Sequence, residues 1–84
     1  MKKSVWQEKY ILLNSELREM RKSAGFSQVQ LAEKLGKPQS FVSKYESGDR
    51  YLNFIEVVEI CDACSASVID LIKKLGFESV LWTW

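Results

Sequence analysis

Apolar residues recur along the chain at helical spacing, and turn signals cut the pattern into five segments. Trp6, Tyr10, Leu13, Leu17 and Met20 follow one another at intervals of four, three, four and three residues, which lays one stripe along a helix. Ser4 with Gln7 fits a capping box at its start, and Ala24-Gly25 ends it. Asn14-Ser15 marks a candidate break within it. Ser27 opens a second segment bearing Val29, Leu31, Ala32 and Leu35, closed by Gly36. Pro38 opens a third, where a fixed φ and a missing N–H cost nothing. It carries Phe41, Val42 and Tyr45 and is followed by Gly48. Asn53 with Glu56 starts a fourth, with Phe54, Val57, Val58, Ile60, Cys61 and Cys64. Ser67 with Asp70 starts a fifth, with Val68, Ile69, Leu71, Ile72 and Leu75, and Gly76 ends it. No Asn-Gly or Asp-Gly hairpin signal occurs, so the predicted class is all-α with five helices.

Length narrows the reading. Eighty-four residues make one domain, spanning 1–84, with little room for an enzyme cleft and its supporting shells. An enzyme is not expected. The longest apolar run, Tyr10 to Leu13, falls far short of the ~20 residues a membrane span needs. The basic start Met1-Lys2-Lys3-Ser4 is followed by no apolar stretch, which predicts a cytoplasmic chain without membrane association. The absence of histidine removes Ser-His triads and His-containing zinc sites.

The net charge of +1 hides an asymmetry. Residues 1–50 hold ten Lys/Arg against six Asp/Glu, and residues 51–84 hold two against five. A polyanionic partner is therefore drawn to the first half.

The informative stretch is Gln28 to Ser47. Two short helices crossing through a tight turn need a small residue at the crossing, which Ala32 supplies. The turn needs a residue free to take positive φ, which Gly36 supplies. The second helix needs an aliphatic anchor facing back, which Val42 supplies. That spacing is a helix-turn-helix. Val42 and Tyr45 face inward, so Gln39, Ser40, Ser43 and Lys44 are left to face outward. Glutamine bonds adenine bidentately, lysine donates to guanine, and serine reads either.

Over Leu17 to Leu75 the sequence also resembles the phage repressor/Cro-type (Xre-like) helix-turn-helix regulators. The resemblance rests on Leu17-Arg-Glu-Met-Arg-Lys22, Gly25-Phe-Ser-Gln28, Leu31-Ala-Glu-Lys-Leu-Gly36 and Val42-Ser-Lys-Tyr-Glu-Ser-Gly48. It implies a five-helix, lambda-repressor-like DNA-binding domain with the helix-turn-helix as helices 2 and 3. It implies a bacterial or phage transcriptional regulator that binds double-stranded DNA, as a homodimer on a two-fold operator. Carried over by position, Gln39, Ser40, Ser43 and Lys44 read bases. Gln28, Lys37, Arg50 and Tyr51 meet the DNA backbone, and Arg21 with Glu46 forms a structural ion pair. No cofactor or metal is implied. The chain departs from the pattern at Pro38, where Ser or Thr often stands, and at Ser65, where glycine often stands. Cys61 and Cys64 replace residues that are usually apolar.

Cys61-Asp-Ala-Cys64 has the Cys-x-x-Cys form of a redox or metal motif. With no second pair and no βαβ pattern around it, it reads as core packing. Trp6, Trp82 and Trp84 read as packing or dimer residues rather than a ligand cage. The tail, Phe77 to Trp84, groups Val80, Trp82 and Trp84 as a strand, or Phe77, Val80, Leu81 and Trp84 as a helical turn. Either way it predicts a dimer contact with the fifth helix, or else a fold-back onto Trp6 and Tyr10. Two further functions stand beside DNA binding: an antitoxin-like protein-interaction module on a helix-turn-helix scaffold, and a thiol-redox or metal protein.

Overall fold

A computed structural model describes residues 5–82. The chain forms α1 (Val5–Ser23), α2 (Gln28–Leu35), α3 (Gln39–Ser47), α4 (Phe54–Ala63) and α5 (Val68–Lys74), then a 3₁₀ turn over Glu78–Trp82. No strand occurs among the described residues. The tail therefore takes neither a strand nor an α-helical form over these residues. Ser4, proposed to cap α1, and Trp84 lie outside the described residues, as do the side chains of Val80 and Trp82.

Local chemistry accounts for where the helices start. Ser27 accepts from the Gln30 amide and Gln30 returns the bond to the Ser27 amide; Asn53 and Glu56 do the same for α4. Ser67 accepts from the Asp70 amide at α5. Pro38 is the N-cap of α3 rather than its first helical residue, with φ −69° and ψ 155° and no side-chain cap. The pyrrolidine ring suits that extended conformation as readily as the helical one, since both share φ near −65°.

The helices end alike. Backbone amides of Phe26, Lys37, Asp49, Ala66 and Phe77 each reach back five residues, to the carbonyls of Arg21, Ala32, Lys44, Cys61 and Ile72. The residue before each of these five amides is left-handed. Four of them are glycines; the fifth is Ser65, at φ 53°. Asn14-Ser15 does not break α1, because Asn14 sits buried on its inner face.

The core gathers Leu17, Leu31, Ala32, Phe41, Val42, Tyr45, Leu52, Ile60, Cys61, Ala63, Cys64 and Leu71. It lies where α2 packs on α3, with α1 and α4 against the pair. Leu17 is the completely buried member of the α1 stripe; Tyr10, Leu13 and Met20 are half-buried and Trp6 is 71% exposed. Trp6 stands at the far end of a helix whose other end carries the packing. Val29, Phe54 and Ile69 are exposed as well, since each lies on the outer side of a short helix that buries only one face. Leu52 joins the core from an irregular loop, where periodicity gives no signal.

The sides of the fold are tied by α1. The Lys9 ammonium donates to the Leu75 carbonyl at the end of α5 and lies 4.9 Å from the Phe77 ring centroid. The start of the tail is therefore held by Lys9 of its own chain. The Tyr10 hydroxyl donates to the Leu52 carbonyl at 2.9 Å, and its ring lies 4.5 Å from that of Tyr51.

Candidate nucleic-acid interface

The face offered by α3 follows from how that helix is anchored. Phe41, Val42 and Tyr45 are buried on one side, with Phe41 and Tyr45 in edge contact at 5.5 Å. On the other side Gln39, Ser40 and Lys44 are exposed. Ser43 is half-buried, and its hydroxyl donates to the Ser40 carbonyl at 3.3 Å. Burying an apolar face three residues wide on a nine-residue helix leaves the intervening polar positions pointing away from the core.

The helix is fixed to α1 by a buried charge network. Arg21 Nε donates to Glu46 Oε2 at 2.7 Å and Nη2 to Oε1 at 3.1 Å. The guanidinium Nη1 donates to the Phe26 carbonyl at 2.8 Å. Gln28 Nε2 donates to Glu46 Oε1 at 3.0 Å, so the first residue of α2 joins the network. Both charges are almost completely buried, and hydrogen bonding to Glu46 raises Arg21 above its ordinary value. A buried bidentate pair with further hydrogen bonds from Gln28 and to the Phe26 carbonyl sets the angle between helices more than it adds net stability.

At the other end of α3, two cations flank the Phe41 ring. Lys37 Nζ lies 5.6 Å from its centroid and the Arg50 guanidinium 4.7 Å. Arg50 is not free. Its Nη1 donates to Glu56 Oε1 at 3.1 Å and to the Tyr51 carbonyl at 3.1 Å, and Nη2 donates to Glu56 Oε2 at 2.9 Å. Hydrogen bonding from Arg50, reinforced by the Asn53 amide, holds the Glu56 carboxyl below its ordinary range. Tyr51 is 70% exposed beside Tyr10.

The structure thus brings Arg21, Gln28 and Glu46 into one cluster and Lys37, Arg50 and Phe41 into another. Sequence reasoning missed Glu56 as the partner of Arg50, having seen it only as a cap residue. The pairing runs from a loop to a helix, where no periodic spacing announces it.

Cys61 and Cys64 are both buried free thiols. Burial pushes both above the ordinary thiol value, opposite to the depressed pKa of a reactive or ligating cysteine. No group that could hold a metal occurs among the described residues. None of the described helices is long and apolar enough to cross a membrane.

Helix order, the α2–α3 packing and the polar outer face of α3 together define a five-helix helix-turn-helix domain. A helix-turn-helix family model matches residues 17–71, and the chain belongs to that family in its Xre-like branch. Among solved structures it is similar to an XRE-family like protein from Pseudomonas syringae pv. tomato str. DC3000. The identity is 37%, over 89% of this chain and 92% of that one, with a TM-score of 0.82. The clp gene regulator ClgR from C. glutamicum shares the fold at a TM-score of 0.73 and 22% identity, over 90% of this chain and 92% of that one. No protein of curated function matches the chain.

Proposed function

We propose that the chain is a transcriptional regulator that binds double-stranded DNA by placing α3 in the major groove. The carrying observation is the division of α3 into a buried Phe41-Val42-Tyr45 side and an outer side with Gln39, Ser40 and Lys44. No other described residue engages those three side chains, so their donors and acceptors are available to base edges. Ser43 stands beside them as a fourth base-reading candidate. Gln28 at the N-terminus of α2, Lys37 and Tyr51 meet the backbone in this reading, while Arg50 is held by Glu56. Gln28 keeps one amide proton for a phosphate after bonding Glu46, and the first amides of α2 add to it.

The reading includes a homodimer on a two-fold operator, with recognition helices about 34 Å apart to match successive major grooves. Exposed Trp6, Phe54, Ile55 and Ile69 support a protein contact, since large apolar side chains left in water favour burial in an interface. The same exposure is what an antitoxin-like interaction module would present.

Selection from a random duplex pool, followed by anisotropy titration on the selected and scrambled sequences, tests the reading. Tighter binding to the selected duplex, weakening steeply as salt rises, is expected. Equal binding to both duplexes in low salt, or one stoichiometric protein partner captured with no DNA affinity, overturns it.

A further inference from the structure

Arg50 stands in the loop that follows α3, beside the proposed DNA face, and its charge is already spent. The fork to Glu56 uses both terminal nitrogens, the Tyr51 carbonyl takes a further proton, and the Phe41 ring lies under the guanidinium. Glu56 is itself held in place. Its Oε1 accepts from the Asn53 amide at 2.9 Å as part of the α4 capping box, and its side chain is 13% exposed against 40% for Arg50. The carboxylate is therefore the fixed member of the pair and the guanidinium the more accessible one. Lys37, on the same Phe41 ring, adds its positive field to Glu56. One anion thus sits among the cations that would otherwise meet a phosphate.

We infer that Glu56 is a positioning residue that holds Arg50 away from the DNA backbone and so sets the affinity of the protein for DNA of any sequence. The inference rests on the DNA-binding reading. A phosphate approaching Arg50 must replace the bidentate carboxylate. It gains an equivalent charge-assisted pair but leaves Glu56 with the Asn53 amide alone, close to the incoming negative charge. The exchange is unfavourable while Glu56 is ionised. Arg50 then releases no DNA counterion in the wild-type complex, and the salt dependence is shallower by one phosphate contact than the cation count suggests.

Glu56→Gln separates this role from a structural one. A glutamine amide oxygen still accepts from the Asn53 amide, so the cap is kept while the charge that binds Arg50 is lost. Wild type, Glu56→Gln, Arg50→Ala and the double variant are titrated, as full chains, against one selected and one scrambled duplex between about 50 and 200 mM salt. Thermal melting of each variant is run alongside. Glu56→Gln is expected to bind both duplexes about five- to tenfold more tightly near 0.1 M salt, with a slope steeper by about 0.9, the signature of one further neutralised phosphate. The steeper slope disappears in the double variant. Arg50→Ala alone leaves the slope as it is, because Arg50 neutralises no phosphate in the wild type, and weakens binding to both duplexes alike through the Glu56 carboxylate it unpairs.

Unchanged or weaker binding by Glu56→Gln overturns the inference, as does the same steepening of the salt slope in the Arg50→Ala background. If Glu56→Gln melts out under assay conditions, the Arg50→Ala result decides alone: a flattened slope shows that Arg50 already meets phosphate. Failure of the wild type to bind any duplex at low salt overturns the DNA-binding reading and this inference together. Normal wild-type binding with an unresponsive Glu56→Gln removes the inference only.

Discussion

Replacing Ser65 by glycine is expected to stabilise the protein. Ser65 occupies the left-handed position at the end of α4, at φ 53°, where its amide bonds the Asp62 carbonyl at 3.0 Å and the next amide bonds Cys61. A non-glycine residue in this conformation costs about 1–2 kcal/mol, because Cβ crowds the following carbonyl. Glycine removes that cost but adds about 0.5–1 kcal/mol of backbone entropy to the unfolded chain. The net gain lies within about 0–1.5 kcal/mol and centres on about 0.75 kcal/mol, or a rise of about 3–6 °C in the melting midpoint for a domain of this size. Ser65 is exposed, and no described residue bonds its hydroxyl, so the substitution removes no packing or side-chain bond. The reverse change has its own site. Gly25 ends α1 in the same motif at φ 81°, and an added Cβ there meets nothing within 4 Å, so Gly25→Ser carries the conformational cost alone. Urea titrations should place the Ser65→Gly midpoint above wild type and the Gly25→Ser midpoint below it, with unchanged slopes. A Ser65→Gly midpoint at or below wild type, with Gly25→Ser neutral, would refute the reasoning.

Other perturbations address the interface and the frame that carries it. Gln39→Ala and Lys44→Ala should each cost about 1–3 kcal/mol at the selected site and relax preference at one base position, read by binding to single-base variants. Glu46→Ala leaves Arg21 buried without its partner and frees the Gln28 amide; chemical denaturation should show a loss of about 3–5 kcal/mol, and a loss below about 1 kcal/mol would mean that the network does not hold the helices. The depressed Glu56 carboxyl contributes stability that is complete above the ordinary carboxylate value of about 4.3 and is lost as the pH falls through the lower folded value. Acid titration followed by circular dichroism should therefore show a flatter acid limb for Glu56→Gln than for wild type. Sedimentation of the intact chain and of one ending at Gly76 should give a dimer and a monomer respectively, and a monomeric intact chain at high micromolar concentration would count against the two-fold assembly.

Much of this molecule is written in local sequence. The five helices, the caps at Ser27, Asn53 and Ser67, and the glycine stops depend on residues within a turn of one another, so spacing alone reveals them. The Ala32-Gly36-Val42 spacing likewise carries the helix-turn-helix, because a tight crossing tolerates few residue types at those points. What tertiary structure decided lies between elements. It placed Leu52 in the core from a loop and left Trp6, Val29 and Phe54 in water, since short helices bury only the face their neighbours cover. It gave Gln28 a carboxylate partner in Glu46, and it turned Arg50 onto Glu56 across a loop of no regular period. A charge's sequence neighbours state that it exists. Whether it is free to meet a polyanion depends on which opposite charge the fold brings within hydrogen-bonding distance, and that distance is set by the packing of α2 against both α3 and α4 and by the loop that carries Arg50.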